Sequence, residues 1–125
     1  MLAFSVTDGV LDGMVRAIVK TIDPEMIILF GSRARGDHRP DSDVDLIVVE
    51  AEPFGEDRSK HVECARVDEA LSGQAVPVDV LVYSLADVEY WRDSLNHVLA
   101  RALREGRVLY ERSKVREPAN LGCRE

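Results

Sequence analysis

Five apolar residues in a row, Met26-Ile27-Ile28-Leu29-Phe30, run straight into Gly31-Ser32, and a second run, Leu46-Ile47-Val48-Val49, starts directly behind Asp43-Val44-Asp45. Runs this short and this wholly apolar read as buried strands rather than amphipathic helices. The sixteen residues Gly31 to Leu46 hold three arginines and four aspartates, so a dense block of opposite charge lies between two segments that must be buried. Any fold for this chain has to place that charge at the end of a sheet.

The remaining periodicities fill in the architecture. Val10, Leu11, Met14, Val15, Ile18 and Val19 recur at helical spacing, with Thr7 or Asp8 as a cap, and predict a helix over about 8–22 that Asp23-Pro24 ends. Strands follow at 25–30 and 43–50, with a turn or short helix beginning at Gly31-Ser32. A mostly polar stretch with scattered apolar positions predicts a helix at 56–71, stopped by Gly73. Val78 to Tyr83, opened by Pro77, is a third strand. Residues 85–105 form one long helix or two that meet near Asp93-Ser94, Gly106 suits the helix end, and Arg107 to Glu111 add a short strand. From Ser113 onward the periodicity is lost, so a domain over 1–112 and a loose tail over 113–125 are expected. The order is that of an α/β chain with a small mixed sheet flanked by helices.

Topology follows from the connections. About a dozen residues without a long helix join the first two strands, which favours an antiparallel pair. A helix joins the second strand to the third, which makes that pair parallel. Gly31-Ser32 then lies beside Asp43 and Asp45. These two aspartates, at i and i+2 on a strand, point to one face. Asp79 begins its strand as Asp43 and Asp45 begin theirs, so all three carboxylates meet at one end of the sheet. Carboxylates so placed repel one another, and a divalent cation removes the conflict. Mg²⁺ takes hard oxygen ligands, commonly one or two carboxylates together with substrate phosphates. Two such ions roughly 3.5–4 Å apart would serve an in-line displacement at phosphorus. Ser32 and the backbone N–H groups after it suit phosphate, and Arg33 and Arg35 suit further phosphate charge. The predicted metal ligands and catalytic residues are Asp43, Asp45 and Asp79; the predicted nucleotide-binding residues are Gly31, Ser32, Arg33 and Arg35.

Simpler readings account for less. Asp41, Asp43, Asp45 and Glu52 imitate a calcium loop, but the position that needs glycine is Leu46, inside an apolar strand. Gly31 to Gly36 matches neither a phosphate loop with Lys-Ser/Thr nor a dinucleotide fingerprint. Edge protection explains Asp43 and Asp45 but not Asp79, which interrupts an apolar strand. His38 and Arg39 read as solvated loop residues, His61 and His97 as ordinary helix residues, Trp91 as a core or interface residue, and Cys64 as a small packing residue. Net charge of −7 excludes a long nucleic-acid duplex as the main partner. Cys64 and Cys123 match no metal-ligand spacing and read as free thiols, and neither a secretory signal nor a membrane span is legible. A cytoplasmic location is expected.

Gly31-Ser32, followed by Ser42-Asp43-Val44-Asp45-Leu46, resembles the signature of the DNA-polymerase-beta-like nucleotidyltransferase superfamily, and Pro77-Val78-Asp79-Val80-Leu81-Val82 is similar to that family's third carboxylate strand. The chain most resembles the minimal nucleotidyltransferase (MNT) group over about residues 8–112, including the ending Ala102 to Glu111. The resemblance implies a polymerase-beta-like fold and transfer of a nucleoside monophosphate from a nucleoside triphosphate. ATP would be the substrate and two Mg²⁺ ions the cofactors. Gly31 and Ser32 would contact phosphates, Asp43 and Asp45 would bind both metals, and Asp79 would complete the catalytic metal site and help activate the acceptor hydroxyl. It further implies an antitoxin paired with a HEPN-type toxin in a hetero-oligomer, with a tyrosine of the toxin as acceptor of AMP. The alternatives are an antitoxin that neutralises by binding alone, and transfer to a small molecule.

Overall fold

The computed structural model describes residues 8–36, 43–56, 58–73 and 77–112. Among the described residues nine elements follow one another: α1 (Asp8–Ile22), β1 (Met26–Phe30), α2 (Ser32–Arg35), β2 (Val44–Glu50), α3 (Lys60–Ala70), β3 (Val78–Ser84), α4 (Leu85–Trp91), α5 (Val98–Glu105) and β4 (Arg107–Glu111). The strands form one mixed sheet in the order β3-β2-β1-β4. β1 pairs antiparallel with β2, β2 pairs parallel with β3, and β4 closes the other edge antiparallel to β1. The short connection and the helical crossover produce the strand directions expected of them.

The apolar runs in β1 and β2 are explained by burial on both faces. Side chains alternate across a strand, so even and odd positions serve different layers. Ile27, Leu29, Val44, Leu46, Val48, Val80 and Val82 pack with Leu11, Met14 and Ile18 of α1 and Val67 of α3. Ile28, Ile47 and Val49 face the other way, onto Leu99 and Ala102 of α5, with Val88 and Trp91 of α4 at the margin. The α4–α5 layer covers only part of that face. Leu81, in the middle of β3 on this side, remains 39 % exposed.

Element ends follow local chemistry. Asp23 sits at φ 50, in the left-handed region that stops a helix, and Pro24 follows. Arg112 ties the end of β4 to the start of β1: it reaches Glu25 Oε2 at 2.7 Å and the Asp23 carboxylate at 3.0 Å. α3 begins at Lys60 rather than 56, because Ser59 caps it by accepting from the Val62 amide and the preceding residues fold into a bridge between Gly55 and Arg58. It ends at Ala70, before Gly73, with Leu71 as its cap. The stretch 85–105 is two helices, not one. Ser84 opens α4 with a reciprocal capping box to Asp87. His97 is the cap of α5, its Nδ1 accepting from the Leu99 amide, so its role is structural in a way its helical spacing does not reveal. The ring of His97 stacks on Trp91 at 4.0 Å, and Arg104 donates to the carbonyls of Ser94 and Leu95. Thr7, His38, Arg39, Asp41, Ser42, Cys123 and the segment 113–125 lie outside the described residues. Among the described residues, no helix is long and apolar enough to cross a membrane.

Candidate active site

Asp45 is the centre of the charged end of the sheet. In β2 it lies in register with Asp79 of parallel β3 on one side and with Phe30 of antiparallel β1 on the other. Asp43 and Asp45 share a strand face with Ile47 and Val49, and Asp79 shares one with Leu81 and Tyr83. All three carboxylates therefore project toward the α4–α5 side, at the end those helices leave open. Asp43 and Asp79 are exposed, while Asp45 is half-buried.

Gly31 brings the turn after β1 against this carboxylate. Its backbone stands at φ 77, ψ −157, a region that glycine occupies and side-chain-bearing residues avoid. A Cβ built there would collide with Oδ2 of Asp45. Glycine is needed at this position twice over, for its dihedral angles and for the close approach. α2 starts at the next residue: the Gly31 carbonyl accepts from the amides of Ala34 and Arg35, and Gly36, at φ 86, ends the single turn by donating to the Ser32 carbonyl. Ser32 thus heads the helix beside Asp45, and Arg33 and Arg35 occupy its last turn.

The electrostatics match that placement. The Asp45 carboxyl is pushed above its ordinary range by partial burial first, then by the negative charges of Asp79 and Asp43, and the Arg35 guanidinium offsets part of this. Asp45 is therefore held in an environment that disfavours its own charge, and hard oxygen donors with uncompensated negative charge fit a divalent cation such as Mg²⁺. Among the described residues, no three His, Cys, Asp or Glu side chains close into a finished metal-holding group. Substrate phosphates and water would have to complete the coordination, the usual habit of Mg²⁺.

Two hollows lie near this end of the sheet, one on each face. One, of about 250 Å³, runs from Phe30 and Gly31 to α5. The other, of about 460 Å³, lies between the end of α3 and the start of β3 and includes Asp79 in its wall. The α5 side of the first hollow presents Asn96, Arg101 and Glu105, which were not among the residues expected from sequence. The only signal for them was the ambiguity near Asp93-Ser94.

A family model described as nucleotidyltransferase domain matches residues 13–110. The chain belongs to the nucleotidyltransferase-domain family. The match spans α1 to β4 and includes all seven predicted site residues. Solved structures agree on the fold. A toxin–antitoxin structure with AMP-PNP superposes with a TM-score of 0.52 at 21 % identity, over 85 % of this chain and 77 % of that one. A nucleotidyltransferase-like protein from Sulfolobus solfataricus gives 0.52 at 20 % identity, over 83 % and 88 %. A mutant form of the MntA-HpeT toxin–antitoxin gives 0.51 at 21 % identity, over 86 % and 76 %. A comparison with curated proteins gives no match. The fold of this nucleotidyltransferase domain is thus that of its family, a mixed sheet flanked by helices.

Proposed function

We propose that this nucleotidyltransferase domain transfers AMP from ATP, in the presence of Mg²⁺, to a tyrosine hydroxyl of a cognate HEPN-type toxin, and that it acts as the antitoxin of that pair. The observation that carries the reading is the register of Asp45 with Asp79, with the Gly31 backbone pressed against Asp45. It supports Asp43, Asp45 and Asp79 as metal ligands and catalytic residues, and Gly31, Ser32, Arg33 and Arg35 as the triphosphate cradle. When bound, two Mg²⁺ ions would supply charge neutralisation and polarisation at the α-phosphate.

The residues divide the work by position. Gly31 and Ser32 hold the phosphates beside Asp45, and the α2 arginines add charge-assisted contacts. Asp79, on the far side of Asp45, orients the acceptor hydroxyl and draws its proton away. The acceptor oxygen forms a bond to the α-phosphorus in line with the bond to the β-phosphate bridge, which breaks, and pyrophosphate leaves. The exposure of Asp43 and Asp79 supports approach of a protein side chain from the β3 edge. Two solved toxin–antitoxin structures with this fold, one of them with AMP-PNP, support the partner and nucleotide classes. The net charge of −7 favours encounter with a basic, RNA-binding toxin and hence a hetero-oligomer.

The test is intact-mass spectrometry of the cognate toxin after incubation with this protein, ATP and Mg²⁺. The expected result is a gain of one or more AMP units by the wild type and none by Asp79→Asn, which still binds the toxin. A toxin of unchanged mass under all four nucleoside triphosphates, yet still silenced, replaces transfer with neutralisation by binding.

A further inference from the structure

The sheet has two outer edges, and they are finished differently. β4 is five residues long, with Arg107 and Glu111 at its ends and a register shift opposite Ile27 and Ile28. Short length, charge and irregular register are devices that keep an edge strand from pairing with another chain. β3 is seven residues long and keeps regular register with β2 throughout, from Val44↔Val78 to Glu50↔Ser84. Its run Val78-Asp79-Val80-Leu81-Val82-Tyr83-Ser84 holds neither proline nor a basic residue. A near-continuous apolar run of this kind belongs to a strand covered on both faces. β3 instead stands last in the order β3-β2-β1-β4, with no strand on its outer side among the described residues. Val80 and Val82 are buried on one face, while Leu81 on the other stays partly open. A regular, apolar, unblunted edge is the template that β-augmentation uses: an extended segment adds as a further strand, its main chain giving affinity and its alternate side chains giving specificity.

The charges around the edge decide which chain fits. Asp68 of α3 and Asp79 border the hollow at the start of β3. Asp87 stands in the first turn of α4, just beyond the end of β3. Lys60, over the Tyr83 ring at 4.1 Å, offsets part of this charge. Two copies of the edge would set these acidic groups against each other, and like charges across an interface oppose pairing. A basic segment meets both the open main chain and the charge, and the net charge of −7 attracts it from a distance. Asp79 is the second residue of β3 and lies in register with Asp45, so a chain laid on this edge passes the carboxylate site.

We propose that the outer edge of β3 is the docking strip for the acceptor protein, which adds an extended basic segment as a fifth strand with an apolar side chain against Leu81. Main-chain pairing then carries the acceptor hydroxyl to Asp79. The inference rests on the proposed transfer to a toxin, and the test separates the two. Affinity for the cognate toxin is measured by calorimetry on the wild type, Leu81→Lys and Val108→Lys, and affinity for ATP with Mg²⁺ on the same proteins. Leu81 and Val108 are 39 % and 51 % exposed, so both variants are expected to fold; the first puts a cation on the β3 edge, the second on the β4 edge. Leu81→Lys is expected to lose toxin affinity by at least about tenfold and Val108→Lys to keep it, with nucleotide affinity unchanged in both. Amide hydrogen exchange of the wild type, which needs no variant, is expected to slow in residues 78–84 when toxin binds and to stay the same in 107–111. Unchanged toxin affinity in Leu81→Lys, equal losses in the two variants, or residues 78–84 that exchange as fast in the complex overturns the docking strip, while a toxin that still gains AMP leaves the transfer standing. A toxin that docks on β3 and gains no AMP does the reverse. A wild type that binds no toxin overturns both.

Discussion

The two ends of β2 both carry acidic residues, and they are built in opposite ways. At the start, Asp43 and Asp45 meet Asp79, and Asp45 is pushed toward protonation with Arg35 as a partial offset. At the far end, Glu50 is only 6 % exposed and faces Glu63 of α3, 8 % exposed. There the charge is enclosed. Arg58 reaches Glu50 at 3.2 Å and also holds the Glu52 and Pro53 carbonyls, while Arg66 reaches Glu63 at 3.1 Å and the Thr21 carbonyl at 2.8 Å. Among the described residues no donor is aimed at the buried Glu50 Oε2, which is resolved if Glu50 carries a proton there and donates it to Glu63. Burial and the adjacent Glu63 raise Glu50 to about 7. One end satisfies its carboxylates internally and locks α3 to the sheet and to α1. The other leaves Asp43 and Asp79 exposed and Asp45 half-buried, with Arg35 as a partial counter-charge. Acidic clusters of similar composition thus differ by how far the chain itself supplies the counter-charge, and the proposed site is the one left short of it.

The strongest way to break this contrast is Asp45→Asn. If the open end exists for ligand, transfer falls at least about a hundredfold, since even residues one shell removed from a metal are worth about 10–100-fold. Steady-state assay of pyrophosphate release measures it.

Gly31→Ala comes next and couples the site to the fold. The backbone region costs a residue with a side chain about 1–3 kcal/mol, and the new methyl displaces Asp45. Both the denaturation midpoint and nucleotide affinity are expected to drop. A loss of affinity with full stability would show that Gly31 acts through the ligand alone.

The enclosed end is probed by pH. Glu50 has a folded-state value raised from 4.5 to about 7. A proton held more tightly when folded stabilises the fold fully below the unfolded value, and that contribution is lost as pH rises through about 7. Melting temperature is therefore expected to decline between about pH 5 and 8 by an amount on the order of 1 kcal/mol, or about 4–8 °C. Glu50→Gln, which keeps a donor and cannot ionise, flattens the decline and leaves nucleotide binding unchanged. A decline that persists in Glu50→Gln assigns the titration elsewhere.

The smallest effect is expected from Ser32→Ala. Ser32 is the first residue of α2, after the glycine that caps it, and its hydroxyl is expected to meet the triphosphate. Its loss should weaken triphosphate binding by about 1 kcal/mol, roughly fivefold, with the melting temperature unmoved. A melting shift without an affinity change would return Ser32 to a structural role.

The open end was legible in the sequence because each step toward it is local. The i, i+2 spacing of Asp43 and Asp45, the helix-free link to β1 and the helical crossover to β3 are enough to align Asp45 with Asp79. The closed end was not. Glu50 reads as the last residue of a strand and Glu63 as one polar residue on a weakly patterned helix; only the packing of α3 across the parallel pair buries both. The α5 side of the hollow beside Gly31 was hidden for a related reason. Leu95 and Val98 keep the helical period running through the break, which depends on Arg104 and on the Trp91–His97 stack, contacts that periodicity does not encode.

The central claim, that the Asp45 end is strained without ligand and completed by it, is tested most directly by melting wild type and Asp45→Asn with and without Mg²⁺ and a non-hydrolysable ATP analogue. Without ligand, the neutral amide relieves repulsion, so the variant is expected to melt at or above the wild type. With ligand, the wild type is expected to rise by several degrees, as linkage requires of any ligand that binds the folded state, and the variant to stay where it was. A variant that melts well below the wild type without ligand and then gains as much from Mg²⁺ and nucleotide would contradict the account, placing Asp45 in the structural scaffold.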